Sequence, residues 1–220
     1  MMQKRSLWAV LFVMLMMALS VNGAVAEDDA LRSGDYQYRV LEDGTAEITH
    51  YCGRNSVVHI PETLDGKTVT SIRDVAFAWC SSLTTIELPD SVTSMGVNPF
   101  AVCGSLKNIQ VSPEQPVFAV IDGVLFNKAE KSLICYPAGK QEEAYEVPQG
   151  IQQIKSYAFY DCRALTSIEL PDSVTSIGEY AFFGCSNLTM TVQRDSYAAR
   201  YAKDKNLKYT YPDANDWLNN

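Results

Sequence analysis

Residues 87–94 read Glu-Leu-Pro-Asp-Ser-Val-Thr-Ser, and residues 169–176 repeat the same eight residues in the same order. Around both copies, phenylalanine, cysteine and leucine recur in phase at a spacing of 23 residues. Self-similarity at a fixed period is typical of repeat architectures, in which each unit stacks on its neighbours. The sequence therefore predicts a stack whose recurring side chains form an internal ladder. The ladder positions are Phe77, Cys80, Leu83, Phe100, Cys103, Leu106, Phe159, Cys162, Leu165, Phe182, Cys185 and Leu188.

One unit follows the pattern V-T-S-I-x-x-x-A-F-x-x-C-x-x-L-T-x-I-x-L-P-D-S, in residues 69–91 and, with substitutions, in 151–173. Residues 92–115 and 174–196 are looser copies. The alternation after Leu83 predicts a short strand with Ile86 and Leu88 facing inward. Proline cannot donate to a strand ladder, so Pro89 is expected to end that strand. This spacing matches the L-x-x-L-x-L core of a leucine-rich repeat.

The unit I-x-x-x-A-F-x-x-C-x-x-L-x-x-I-x-L-P-x-S-V resembles the BspA-like, or Treponema pallidum-type, leucine-rich repeat of bacterial surface and secreted proteins. The resemblance covers about residues 57–196. It implies an α/β repeat solenoid, a right-handed stack of short parallel strands joined by short helical or irregular turns. The pattern departs at Pro99, which replaces the alanine, and at 189–193, where Thr-Met-Thr-Val-Gln is expected to break the inward alternation.

Residues 116–136 interrupt the regular repeats with an inserted β-hairpin. Asp122-Gly123 lies between the apolar runs 118–121 and 124–126, and this dipeptide favours a two-residue turn with positive φ angles. Residues 133–136 and 145–147 are expected to form further strands. We expect the insertion to continue the sheet of the solenoid, which spans 57–196, and not to form a second domain.

Both ends of the stack are expected to carry caps, because an open repeat array exposes its terminal faces. At the N-terminal end, residues 27–56 predict a β-hairpin of strands 36–40 and 46–50. At the C-terminal end, residues 197–220 predict a short helix, a last strand over 207–211 and a tail. Ser196 is expected to cap that helix.

The first 26 residues are typical of a signal peptide. Lys4 and Arg5 precede an apolar run at 7–19, and Ala24-Val25-Ala26 supplies small residues for cleavage. The alternative, a membrane anchor, is disfavoured because this run falls short of the roughly 20 residues that span a bilayer. We expect cleavage before Glu27 and a secreted or cell-surface protein without a membrane span after cleavage. The net charge of −8 disfavours nucleic acid and anionic membrane surfaces as partners.

Six cysteines in an exported protein raise the possibility of disulfides or a metal site. Side chains at matched positions of adjacent coils run parallel, which would strain a disulfide bond. The chain has no C-x-x-C spacing, so a zinc site is not expected, and nothing points to a cofactor. We interpret the ladder cysteines as buried free thiols and leave the state of Cys52 and Cys135 open.

Catalysis finds little support in the sequence. The two histidines, His50 and His59, lie nine residues apart in expected strands, and no nucleophile or metalloprotease motif occurs. Glu87 and Glu169 occupy equivalent positions several coils apart, beyond the roughly 5–10 Å of a glycosidase pair. We therefore expect a protein that is not an enzyme, with a secreted hydrolase as the least favoured alternative.

The outward positions of the predicted strands form a candidate ligand-binding surface along one continuous sheet. We call these residues the polar face. They are His59, Thr85, Glu87, Asn108, Gln110, Glu146, Ser167 and Glu169. Their mixed polar and acidic character favours an extracellular protein or cell-surface macromolecule with basic or hydrogen-bonding groups, and the resemblance implies adhesion. The alternatives are that these residues only keep the sheet soluble, or that the chain is a structural spacer or envelope component.

Overall fold

A computed structural model describes residues 30–212, so the predicted signal peptide lies outside the described residues. Within this range the chain is built mainly of short strands, with an eight-residue helix, α1, at Tyr197–Asp204. The strands in chain order are β1 Leu31–Ser33, β2 Tyr36–Val40, β3 Ala46–Tyr51, β4 Val57–His59, β5 Thr63–Leu64, β6 Lys67–Ile72, β7 Thr85–Leu88, β8 Ser94–Met95, β9 Asn108–Val111, β10 Phe118–Ile121, β11 Val124–Asn127, β12 Ser132–Cys135, β13 Ala144–Glu146, β14 Gln153–Ile154, β15 Ser167–Leu170, β16 Ser176–Ile177, β17 Thr189–Val192 and β18 Lys208–Thr210.

Each regular repeat contributes one strand to each of two walls around a shared interior. In the first repeat, β6 buries Val69 and Ile72, and β7 buries Ile86 and Leu88. The alternation of inward and outward side chains along a strand produces this pattern. Corresponding strands of successive repeats pair in parallel, as β7 does with β9 and β15 with β17. The predicted repeat solenoid with an inserted hairpin is confirmed.

The outward wall is divided between two sheets, whereas the sequence predicted one continuous sheet. Strands β4, β7 and β9 form the N-terminal face sheet, and β13, β15, β17 and β18 form the C-terminal face sheet. The insertion causes the division, because β10, β11 and β12 join the opposite wall, where β12 pairs in parallel with β14. The insertion therefore continues the back of the solenoid and leaves a break in its face.

The buried interior forms two hydrophobic clusters that meet at the insertion. Leu125 and Ile134 belong to the N-terminal cluster, while their strand neighbours Phe126 and Leu133 belong to the C-terminal cluster. Successive side chains of a strand point to opposite faces, so one strand can serve both clusters. The single interior expected from the repeat pattern is thus divided by β11 and β12.

A spine of aromatic rings runs through each cluster. Phe77 packs between Tyr51 and Phe100, with ring centroids 5.1 and 5.7 Å apart. Phe159 lies between Tyr136 and Phe182 at 5.2 and 5.0 Å. Tyr51 in the cap and Tyr136 in the insertion therefore take the place that phenylalanine holds in the regular repeats. Aromatic pairs at these distances contribute stability beyond their buried area.

The turn around each ladder phenylalanine uses left-handed backbone on both sides. Residues two before and two after each ring all have positive φ. They are Val75, Trp79, Asn98, Val102, Tyr157, Asp161, Tyr180 and Gly184. Left-handed backbone disfavours residues with a Cβ, and branched side chains most of all. The turn geometry is therefore imposed by the packing of the phenylalanine and not by local preference.

The two ends are closed by different elements. At the N-terminal end, β2 and β3 pair antiparallel, and β3 then pairs in parallel with β6. At the C-terminal end, the Ser196 hydroxyl accepts a hydrogen bond from the Ala199 N–H at 3.1 Å, which caps α1. Strand β18 extends the C-terminal face sheet beside β17.

The last repeat keeps its alternation, contrary to the prediction for residues 189–193. Met190 and Val192 are buried, and Met190 pairs with Ile168 of the preceding repeat. A single residue, Thr189, separates Leu188 from the first inward residue, whereas two residues do so in the other repeats. Because this loop is one residue shorter, the inward residues of β17 stay in register with those of the preceding repeat. The predicted break in the inward alternation over 189–193 is therefore wrong.

Candidate functional site

The polar face is held outward by strands whose alternate residues fill the core. His59, Glu87 and Gln110 are exposed on three neighbouring strands, and Thr85 is half-buried beside them. Glu146, Ser167 and Glu169 are exposed on the C-terminal face sheet. The structure thus brings the eight residues together in two groups, one on each face sheet.

A row of three polar side chains crosses the N-terminal face sheet. His59 pairs in register with Glu87, and Glu87 pairs with Gln110. The His59 Nδ1 lies 2.6 Å from the Glu87 Oε2, with side chains 71% and 48% exposed. A hydrogen-bonded pair this exposed contributes little to stability. Its main effect is to orient both side chains toward solvent at the start of the face.

Asn108 is less accessible than the sequence suggested, because the inserted hairpin packs against it. The Ile109 N–H donates a hydrogen bond to the Gly123 carbonyl at 3.3 Å. A Cβ on Gly123 would lie 2.9 Å from the Asn108 Oδ1. Glycine is needed here both for this contact and for its φ of 77°. The Asp122–Gly123 turn therefore covers the far side of β9, where the N-terminal face sheet ends.

A loop that contains Gly139 and Lys140 lies between β9 and β13, where a regular repeat would place another strand of the face. The Gly139 N–H donates to the Leu106 carbonyl at 2.7 Å, and the Glu143 carbonyl accepts from the Thr166 N–H at 2.8 Å. Lys140 in this loop is nearly buried. Its Nζ lies 2.8 Å from the Asp122 carbonyl and 3.0 Å from the Glu142 carboxylate. The break in the face is therefore bridged by a lysine whose charge is already compensated.

The C-terminal face sheet places two carboxylates side by side. Glu146 on β13 pairs in register with Glu169 on β15, and Glu169 pairs with Thr191 on β17. Adjacent strands lie about 4.8 Å apart. Among residues 30–212, no lysine or arginine forms a salt bridge with either carboxylate. Directly opposed like charges destabilise a sheet, so this pair costs folding free energy.

Thr191, which is half-buried, and Lys208, which is exposed, also lie on the outward side of this sheet, and the sequence analysis did not select them. Lys208 on β18 pairs with Thr189, two strands away from Ser167. The missing signal was the shortened loop after Leu188, which moves β17 by one residue relative to the 23-residue period. Lys208 is an exposed basic residue on β18, the last strand of the C-terminal face sheet.

The two histidines considered for catalysis are not brought together, and neither are the two glutamates considered as a catalytic pair. His50 lies on β3, whereas His59 lies on β4 of another sheet. Glu87 and Glu169 lie on different face sheets. Within residues 30–212, no group of three His, Cys, Asp or Glu side chains could hold a metal ion. The described part of the chain also has no helix long and apolar enough to cross a membrane.

The six cysteines are all free. Cys103, Cys135 and Cys162 are buried, Cys80 and Cys185 are half-buried, and Cys52 is exposed. Burial raises the pKa of Cys135 to about 12. Buried thiols with raised pKa values are poor nucleophiles, because the thiolate is the reactive form.

Residues 46–132 and 138–201 match the family model described as "BspA type Leucine rich repeat region", with six copies. These residues cover more than half of the chain. A comparison with curated proteins found no match.

Several solved structures of leucine-rich repeat proteins are similar to this chain. A protein from Bacteroides ovatus ATCC 8483 is 22% identical over 84% of this chain, with a TM-score of 0.51. This chain covers 54% of that protein. The leucine-rich repeat protein of T. pallidum is 26% identical, with 74% and 71% of the two chains covered and a TM-score of 0.46. A leucine-rich cell surface protein of Faecalibacterium prausnitzii A2-165 is 20% identical, with 76% and 77% covered and a TM-score of 0.43. The likeness to the B. ovatus protein shows the shared fold.

Proposed function

Because this chain belongs to the BspA-type leucine-rich repeat family, we propose that it is a secreted or cell-surface protein that binds or adheres to a macromolecule through its polar face. The partner is an extracellular protein or cell-surface molecule that presents basic groups. The N-terminal Lys4 to Ala26 segment, with its signal-peptide pattern, supports the proposed location.

The paired carboxylates of Glu146 and Glu169 are the observation that carries this proposal. Two like charges one strand spacing apart repel each other by about 1 kcal/mol in surroundings that resemble water. Lys208 lies three strands from Glu146 and two residues along the strand direction, so more than about 14 Å separates them at ordinary strand spacing, and it forms no salt bridge with Glu146. A lysine or arginine of a partner placed between the carboxylates would replace the repulsion with two attractions. The folded chain therefore retains an electrostatic repulsion between Glu146 and Glu169 that a bound basic group would remove.

The shape of the surface favours a large partner over a small molecule. The exposed residues are spread over short parallel strands, and neighbouring strands present them side by side. Such surfaces of repeat proteins bind extended areas of macromolecules. Complementary charge mainly accelerates association and sets specificity. We therefore expect binding that weakens as salt screens the carboxylates.

A charge-reversal experiment tests the proposal. The full chain and its Glu146→Lys/Glu169→Lys variant are presented to immobilised extracellular matrix, serum and cell-wall fractions. The matched control is Glu42→Lys/Glu114→Lys, which makes the same change of net charge at exposed positions away from the polar face.

We expect the face variant to lose its captured partner by about tenfold or more, since rim and core charges of an interface contribute to affinity at this level. The control variant should bind like the unmodified chain. Equal capture by all three proteins would favour a structural spacer. Turnover of glycan or peptide substrates by the chain would instead favour a hydrolase.

A further inference from the structure

Strand β4 is a free edge of the N-terminal face sheet. It pairs with β7 on one side, and among residues 30–212 no strand pairs with its other side. The cap strands β1, β2 and β3 extend the opposite wall and do not pair with this edge. Exposed sheet edges are sites where another chain can add a strand, and proteins usually protect them. The stack therefore begins with an open edge on its outward wall.

The hydrogen bonds to β7 show which backbone groups of β4 point to the open side. The Ile60 N–H donates to the Glu87 carbonyl at 3.0 Å, and the Ser56 carbonyl accepts from the Thr85 N–H at 3.1 Å. In a parallel pair, alternate residues of a strand bond to opposite sides. The N–H and carbonyl groups of Val57 and His59 consequently face away from β7.

The cap leaves a cleft alongside this edge. The cleft has a volume of about 470 Å³, and its lining includes Val57, His59 and Pro61 of the β4 segment and Asp35 and Tyr36 of the cap. The Tyr36 hydroxyl donates to the His59 carbonyl at 3.3 Å and so occupies one outward acceptor. Burial, with smaller contributions from Tyr51 and the Asp35 carboxylate, raises the pKa of Tyr36 and keeps this donor protonated. The outward Val57 groups and the His59 N–H face the cleft.

The charge of the cleft is acidic. Asp35 is exposed and forms no salt bridge within the described residues. Among the residues that line the cleft, Asp35 is the one carboxylate, and the one basic side chain, His59, is hydrogen-bonded to Glu87. Val57, with 47% of its surface exposed, supplies an apolar contact beside these charges. An occupant with a lysine or arginine near Asp35 and an extended backbone would match both features.

We propose that the β4 edge binds an extended, positively charged peptide segment of a partner protein as an additional strand. The segment hydrogen-bonds to the backbone of Val57 and His59, and a basic side chain faces Asp35. Strand addition of this kind derives affinity from main-chain hydrogen bonds and specificity from the flanking side chains. The site goes beyond the proposed polar face, because it acts through backbone groups at the edge and does not require Glu146 or Glu169.

The probe is a short acetylated and amidated peptide of alternating lysine and valine. One control peptide carries glutamate in place of lysine, and a second has N-methylated peptide bonds that cannot pair with a strand. Binding to the full chain is followed by fluorescence anisotropy, and the amides of Val57 and His59 are followed by hydrogen exchange. We expect the lysine peptide to bind and to slow exchange at both amides, and both control peptides to fail.

Two variants test the contacts separately. Val57→Pro removes an outward N–H without disturbing the bonds to β7, and Val57→Thr is its matched control. We expect Val57→Pro to weaken binding of the lysine peptide by about threefold to tenfold, the effect of one lost hydrogen bond. Asp35→Asn should weaken it in a salt-dependent manner and serves as the independent test if Val57→Pro fails to fold.

Several results would overturn the proposal. These are equal binding of the N-methylated and unmodified peptides, equal binding of the glutamate peptide, or protection of the Lys208–Thr210 edge in place of Val57 and His59. Dimerisation of the chain in sedimentation experiments that Val57→Pro abolishes, without peptide binding, would assign the edge to a second copy. The Glu146→Lys/Glu169→Lys variant should bind the peptide normally, so failure of the polar face and failure of the edge are distinguishable.

Discussion

The Cys103 thiol donates a hydrogen bond to the backbone carbonyl of Phe77, with 2.9 Å between sulfur and oxygen. Cys185 makes the same contact with Phe159 at 3.0 Å one cluster further along. In these two repeats the ladder cysteine thus connects its coil to the phenylalanine turn of the coil before it. A residue of this size that is apolar and carries a weak donor satisfies both requirements of the position.

Replacement of Cys103 by alanine should therefore lower the free energy of unfolding by about 1–3 kcal/mol, because it removes buried volume and a donor to a buried carbonyl. Urea denaturation followed by circular dichroism measures the change. Cys52→Ala provides the control, since Cys52 is exposed. An equal effect of the two substitutions would show that the contact with Phe77 does not stabilise the stack.

Alkaline pH should destabilise the fold through Cys135. Its pKa is raised from 9.0 to about 12 by burial, so the unfolded state loses the thiol proton before the folded state does. The stabilisation that the buried, protonated Cys135 thiol provides is complete below pH 9. It is lost as the pH rises toward 12, and the free energy of unfolding then falls by about 1.4 kcal/mol per pH unit for this one proton. Urea midpoints measured across this range for the chain and for Cys135→Val test the effect. The variant should show a smaller slope, and identical slopes would contradict the prediction.

Two equivalent turn positions, Gly184 and Val102, should differ in how much stability is lost when glycine and valine are exchanged. Gly184 has a φ of 86°, and a Cβ there would lie 2.9 Å from the Asp161 Cα, so Gly184→Val should cost about 2 kcal/mol or more. Val102 occupies the same turn position with a φ of 62°. Val102→Gly should change stability by less than about 1 kcal/mol, because relief of strain offsets the entropy of glycine. Thermal unfolding of both variants checks this, and equal losses would argue against strain in the turn.

Gln115, which directly precedes the insertion, should be a sensitive polar residue. It is fully buried, its side-chain nitrogen donates to the Val92 carbonyl at 2.6 Å, and its side-chain oxygen accepts from the N–H groups of Val117 and Phe118. Gln115→Leu would leave these buried groups unpaired, at about 1–3 kcal/mol for each. Hydrogen exchange should then quicken first in β10, and unchanged exchange there would contradict the role of Gln115.

Much of the local structure was predictable because it depends on spacing along the chain. The 23-residue period predicted the repeat, the alternation around Ile86 predicted β7, and Asp122-Gly123 predicted the hairpin turn, where both residues have positive φ. The same period also places Glu146 and Glu169 at equivalent positions, and the structure pairs them in register. Each of these features follows from a repeat interval or from the conformational preference of one or two residues.

The division of the face could not be predicted, because it depends on which wall an inserted strand joins. Nothing in residues 116–136 distinguishes a strand of the face from a strand of the back, since both alternate inward and outward. Likewise, Asn108 has the spacing of an exposed residue and is covered only because the hairpin turn folds back on β9. Gln115 has no periodic signal at all, since its partners are Val117 in the following loop and Val92 at the opposite end of its own repeat.

By itself, the sequence determined the repeat, the identity of the core side chains and the turn chemistry, because these are properties of neighbouring residues and of a fixed interval. Only the tertiary structure decided the two face sheets, the open β4 edge and the cleft beside it. These depend on how the cap and the insertion pack against the stack. Burial of apolar area drives such packing without regard to chain order, so no local pattern records it.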